Sequence, residues 1–299
     1  MEVRKLTNIP EIPNTDHIYA FSRDAKPALE VDPGAVVIFD TRDAFSGQIR
    51  TPEDKLENLP FDRINPATGP LYVHGAEPGD ALAVSILTLE TSSHGSVLSI
   101  PGEGALGDRV TQSTTRIVSI GEHWIEFAPG VRLPKRPMMG VVGVAPAGEP
   151  IPTGTPGSHG GNMDTNTVAP GATLYLPVEA EGALLAMGDA HALQGDGEVC
   201  GTGVECDARA TVSVKVIKEY GIQWPMLVNA DDLMFIVSAP TLEEASREAV
   251  GEIVQHLMNR HDMSFDDAYM LMSCVGSLRI SQIVDPLVTV RACIGRRYL

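Results

Sequence analysis

The chain has 299 residues, with 39 acidic against 22 basic side chains and a net charge of −17. That surplus of acid excludes a protein built to hold a phosphate backbone or an anionic membrane surface, both of which need clustered Lys and Arg. Twenty-nine glycines and 22 prolines against 5% aromatic residues favour many short strands and tight turns over a helical bundle.

Met1 to Asn14 lacks the apolar run of a signal peptide, and no window approaches a membrane span. The first strand pattern is Ala35 to Phe39, after a Pro-Gly turn. Ala81 to Glu90 follows, entered through Pro78, Gly79 and Asp80. Arg116 to Ile120, Val141 to Ala145, Thr173 to Val178 and Ala183 to Met187 are further short strands, bounded by turn residues. In Thr211 to Lys218 the side chains alternate, with Val212, Val214 and Val216 on one face. Asp232 to Ser238 is the next strand. Thr241 and Glu244 then make a capping box, and Ala249, Val250, Ile253, Val254, Leu257 and Met258 recur at helical spacing. Ser264 with Asp267 caps a second helix through Met270 to Cys274. A last strand runs from Val288 to Ile294. Strands, then helices, then a strand predict an α+β fold of layered sheets, with its few helices mainly near the C-terminus. Residues 1–299 read as one unit. The Gly/Pro-rich stretch 145–161 is the junction if there are two subdomains, or else a long functional loop.

Chemistry concentrates in Met187 to Glu205, MGDAHALQGDGEVCGTGVE. Asp189 and His191 are two apart. On a continuing strand they leave the same face, about 7 Å apart at their backbones. A carboxylate and an imidazole so placed can share one ion, and zinc accepts that mixture of donors. Asp196, Glu198 and Glu205 follow with no Lys or Arg among them, so the acids need solvent or a cation. A surface Asp and a satisfied core His would look the same, and Asp196-Gly197 is also a plain hairpin turn. Asp40 at a strand tip, with Asp43 behind it, and His74 between a short strand and Gly75 offer compatible ligands from elsewhere. In Ser158 to Thr167, Gly160 and Gly161 present backbone N–H groups beside Asn162 and Asp164. PGEGALGD, from Pro101 to Asp108, lacks the Lys-Ser/Thr of a phosphate loop.

Cys200 offers a rival chemistry, a thiol nucleophile with Glu198 as its base. The four cysteines, Cys200, Cys206, Cys274 and Cys293, show neither a CxxC pair nor disulfide-framework spacing. With no export signal they predict reduced thiols and a cytoplasmic protein.

The chain resembles the acetamidase/formamidase family along nearly its whole length. GGNMDT, GATLYLPV and GD-x-H-x-x-QGDGEV carry the resemblance most specifically. DTRDAFSGQI, NPATGPLYVHGAEPGD and PGEGALGD support it in the same order. The resemblance implies hydrolysis of formamide, acetamide or related short amides to ammonia and carboxylate. It implies a β-rich layered fold, a homodimer or higher homo-oligomer, and a divalent metal: Zn2+ first, Ca2+ second. Carried over by position, Asp40, His74, Asp189 and His191 become the metal residues. Glu198 is the expected general base and Glu205 its alternative. Asn162, Gly160, Gly161 and Asp164 are the expected substrate contacts. A non-catalytic metal- or solute-binding protein and a hydrolase of cyclic imides, ureas or esters are the competing functions.

Overall fold

Period-two burial builds the scaffold. Along Ala208–Ile217, Ala208, Ala210, Val212 and Val214 are buried while Arg209 and Lys215 are exposed. One face of this strand therefore meets a core and the other meets solvent. The computed structural model describes residues 9–60 and 63–299. The expectation that Met1 to Asn14 holds no apolar leader lies, for residues 1–8, outside the described residues.

Two large sheets form. The first has nine strands, ordered Glu11–Ile12, Val36–Thr41, Ala208–Ile217, Ala81–Thr91, Thr173–Pro177, Met226–Val228, Asp232–Ala239, Val288–Gly295 and Gly276–Gln282. The second has eleven, and His94–Ser99, Glu205–Cys206, Leu185–His191, Met138–Gly143 and Gly160–Asn162 follow one another in it, the last at the end of the run. Ala67–Val73 also pairs with Leu185–His191.

The main apolar core lies between these sheets. Phe39, Val84, Leu174 and Val212 from the first meet Leu71, Met139, Val142, Leu185 and Met187 from the second. Strand Asp232–Ala239 shows the layering within one segment. Met234 and Ile236 enter the sheet–sheet core, while Phe235 and Val237 turn to the opposite face. There they meet α1 (Leu242–His261) and α2 (Phe265–Val275). Thr241 Oγ1 accepts the Glu244 N–H at 3.2 Å, and Ser264 Oγ accepts that of Asp267 at 3.1 Å. Both helices thus start at the expected caps. The buried face of α1 is Ala245, Ala249, Ile253, Val254 and Leu257. The fold is α+β and β-rich, with sheet, sheet and helix layers.

The sequence-based strands recur within a few residues. Gly160–Asn162 escapes the pattern, and the short strand expected before His74 extends back through Pro70 to Ala67. No helix among the described residues is long and apolar enough to cross a membrane. The 145–161 stretch joins two antiparallel neighbours of the second sheet, Met138–Gly143 and Gly160–Asn162.

Candidate active site

Asp189 and His191 lie on Leu185–His191, every residue of which is buried. Their side chains meet as period two requires, with His191 Nε2 3.3 Å from Asp189 Oδ1. The pairing register sets His191 directly opposite Glu205, and Glu205 Oε2 lies 3.0 Å from the same nitrogen. Between these partners the chain runs out and back, so Glu198 sits on the connecting loop with an oxygen 4.0 Å from His191 Nε2. Asp164 follows Gly160–Asn162, and its Oδ1 is 3.9 Å from His191 Nδ1. Asp285, between the strands ending at Gln282 and starting at Val288, completes the group through Asn162, whose Nδ2 donates to both its oxygens at 3.0 and 3.1 Å.

These acids and Asn162 line a cavity of about 170 Å³. It has room for a molecule of a few heavy atoms. Among the described residues no Lys or Arg lines it.

Gln194 fixes the state of the imidazole. Its Nε2 donates to the carbonyls of Asp164 and Ser281 at 2.7 and 3.2 Å. That leaves Oε1 to accept from His191 Nδ1 at 2.8 Å. With the Nδ1 proton so held, a neutral ring turns its Nε2 lone pair towards the carboxylates, as a metal-ligating histidine does.

The loop carrying Glu198 is anchored from the first sheet. Gly197 N–H donates to the carbonyls of Ile280 and Ser281. Asp196 pairs with Arg291, which is 1% exposed and also donates to Ser281 Oγ and Asn166 Oδ1. The cation absent from Met187 to Glu205 thus arrives from a distant strand, but it serves Asp196, and among the described residues no Lys or Arg reaches the pocket acids.

The backbone is bent to suit the site. Asp164, Asp189 and Glu198 have φ of 43°, 54° and 44°, a region that costs a non-glycine residue about 1–2 kcal/mol. Such conformations persist where surrounding structure holds them, and they cluster at functional sites. Gly140 lies beneath: a Cβ there would stand 2.5 Å from Asp164 Oδ1 and 2.6 Å from Asp189 Oδ2.

Burial pushes the carboxyls of Asp164, Glu198 and Asp285 well above the usual range. The carboxylates around them add to the shift, while His191 opposes it at Asp164 and Glu198. Glu205 is raised by burial to about 7 against the pull of His191. Burial lowers His191, but Glu205 and Asp189 outweigh it and lift the imidazole well above its ordinary value. In the absence of a cation the cluster holds protons in its place.

The donor set fits a divalent cation. Among the described residues, Asp164 Oδ1 and Glu205 Oε2 are buried without a hydrogen-bond partner. One imidazole nitrogen and several carboxylate oxygens converge closely enough to share an ion, in the groups Asp164–Asp189–His191 and His191–Glu198–Glu205.

Asp40 and His74, expected beside Asp189 and His191, do not join them. Asp40 Oδ2 accepts from Asn14 Nδ2 at 2.7 Å, on a strand of the first sheet. His74 is half-exposed against Glu30 and Tyr72. Register explains His74: Ala67 pairs with Gly188, and its strand then runs away from Asp189, carrying residue 74 about 23 Å along the sheet. Of the expected substrate contacts, Asn162 and Asp164 line the cavity and Gly160 and Gly161 do not. The Gly160 N–H is already given to the Gly157 carbonyl at 3.1 Å. Cys200 Sγ lies 3.5 and 3.7 Å from the carbonyls of Leu98 and Thr202, outside the acid pocket. Gln194 and Asp285 escaped sequence reasoning. The first stands three residues after His191 and was legible as a partner; the second follows a distant strand with no local signal.

The protein-family model for the acetamidase/formamidase family matches residues 13–154 and 147–294. The crystal structure of an acetamidase from Bacillus halodurans is 44% identical and superposes with a TM-score of 0.95, covering 96% of this chain and 98% of that one. That of a predicted acetamidase/formamidase from Thermoanaerobacter tengcongensis is 42% identical, with a TM-score of 0.93 and coverage of 96% and 95%. A formamidase from Methylophilus methylotrophus is 25% identical over 260 residues, 66% of this chain and 64% of that one. The chain spans less than two thirds of the length of the curated relatives it matches. With the family model covering most of the sequence and two solved structures matching nearly end to end, the chain belongs to the acetamidase/formamidase family.

Proposed function

We propose that this protein is a metal-dependent amidase, hydrolysing short aliphatic carboxamides to ammonia and the carboxylic acid. One observation carries the reading: in a pocket of small-molecule size, buried carboxylates converge on a histidine whose free nitrogen faces them. The family of the chain supplies the reaction class.

Asp189, His191 and Glu205 would hold the cation, with Asp164 completing the set. Zinc is the first expectation from the mixed donors and calcium the second. When bound, the ion supplies Lewis-acid chemistry. Glu198 suits proton transfer. It faces the pocket, and among the described residues no hydrogen bond from another side chain ties its carboxylate. It takes a proton from the attacking water and returns it to the nitrogen that leaves as ammonia. The Oδ1 of Asn162 has no partner among the described residues and is positioned to accept an N–H of the carboxamide. Gln194 keeps the His191 ring in its tautomer throughout.

A cytoplasmic, self-associating protein fits four free cysteines and the exposed Leu278 and Ile280 on an edge strand. A monomeric mass by light scattering would overturn the second point.

The test is ammonia release from formamide, acetamide and propionamide, beside elemental analysis. Chelation should abolish release and added zinc restore it; full activity in metal-free protein overturns the mechanism. Cys200→Ser should keep turnover within about threefold, since the thiol lies outside the pocket and a thiol nucleophile is not required. Near-complete loss would transfer the reaction to the cysteine. Intact metal with no ammonia from any amide favours a binding protein.

A further inference from the structure

The pocket is built from two unlike halves. The acids form one. Ala44, Phe45, Leu56, Ile64 and Ile100, which pack together in a single apolar cluster, line the other, where Asn65 and Glu103 also reach the lining. Hydrogen bonds hold this half in place. Asp43 Oδ1 accepts the N–H groups of Phe45 and Gly47 at 2.9 and 2.8 Å. The Ala44 carbonyl accepts from Asn65 N–H at 2.7 Å. Asp43, itself 4% exposed, therefore braces a turn that sets the Phe45 ring against the cavity. The sequence segment DTRDAFSGQI thereby acquires a task separate from ion binding.

A carboxamide whose reacting group lies at the acids has one remaining part, its acyl chain. Water beside the apolar half gains few hydrogen bonds there, and a methyl or ethyl group displaces it favourably. The amide and the acids meet at one end, so the chain must point towards Phe45 and its neighbours, within a volume that limits its length.

Resting on the amidase reading, we propose that Ala44, Phe45, Leu56, Ile64 and Ile100 form an acyl pocket that selects amides with a short alkyl chain over formamide, with Phe45 setting the upper limit of chain size. Each methylene buried there should raise kcat/KM about fourfold until the pocket is full. Asp43 is a positioning residue for Phe45.

The experiment measures kcat/KM of the zinc-loaded protein for formamide, acetamide, propionamide, butyramide and isobutyramide. The native chain should climb from formamide to acetamide or propionamide and fall at the larger amides. Phe45→Leu should raise the butyramide-to-formamide ratio about tenfold, and Ala44→Val should lower the propionamide-to-formamide ratio by a similar factor. The two variants move the profile in opposite directions, so a loss of fold cannot imitate the result; circular dichroism confirms each is folded. Ammonia release with a profile that neither variant moves overturns the acyl pocket and leaves the amidase reading standing. Ammonia from no amide overturns the amidase reading, and the acyl pocket with it.

Discussion

Glu198→Gln should retain its metal and lose about 10²–10⁴-fold in turnover, the range a positioned proton-transfer group contributes. The substitution keeps the shape and removes the base. The expectation separates two roles that proximity alone would merge. Glu205 has one oxygen fixed by the Gly203 N–H at 2.9 Å and the other directed at His191, the restraint expected of a ligand. Glu198 stands farther from the imidazole, on a loop tip, facing the cavity. Metal content by elemental analysis and kcat for acetamide decide it. A variant that loses its metal makes Glu198 a ligand. A variant that keeps both metal and turnover passes the base to Glu205.

Metal-stripped protein should become less stable as pH rises from about 4.5 to 7 and beyond, whereas metal-loaded protein should not. The Glu205 carboxyl moves from 4.5 to about 7 on folding. Across that window the unfolded chain has released its proton and the folded chain has not. The folded state binds more protons, so stability falls with rising pH. The shift corresponds to about 3 kcal/mol, or a loss of about 6–12 °C in Tm for a chain of this size. Asp164, Glu198 and Asp285 are displaced in the same direction. His191 acts with them: its raised value stabilises the fold at low pH, and this is lost as pH climbs through the folded value. A bound cation replaces the protons and removes the dependence. Calorimetry at pH 5 and pH 8, with chelator and with zinc, measures both curves. Stripped protein that is as stable at pH 8 as at pH 5 would show that the acids are not crowded as described.

Local features of the sequence foretold the scaffold well where one period governed a segment. Thr211 to Lys218 alternates because one face meets the core, and the two helix caps are complete within four residues. Gly160–Asn162 and the start of Ala67–Val73 were hidden because paired glycines and Pro70 contradict strand propensity, and sheet neighbours override it. The site divides along the same line. Asp189, His191, Glu198 and Glu205 share one out-and-back segment, so spacing alone brings them near. Asp164 and Asp285 arrive by sheet register, which no local pattern encodes. Asp40 and His74 show the converse: suitable residue types beside suitable turns, carried elsewhere by the strands that bear them.

Asp164, Asp189 and Glu198 occupy backbone conformations that glycine would hold without penalty. A single base change in an aspartate or glutamate codon is enough to encode glycine. At each of these positions that change relieves backbone strain and removes one of several crowded buried carboxyl groups. Stability and chemistry therefore pull the same codons in opposite directions. A lineage freed from the need for the reaction would drift most readily at these three positions, keeping its sheets while erasing its site.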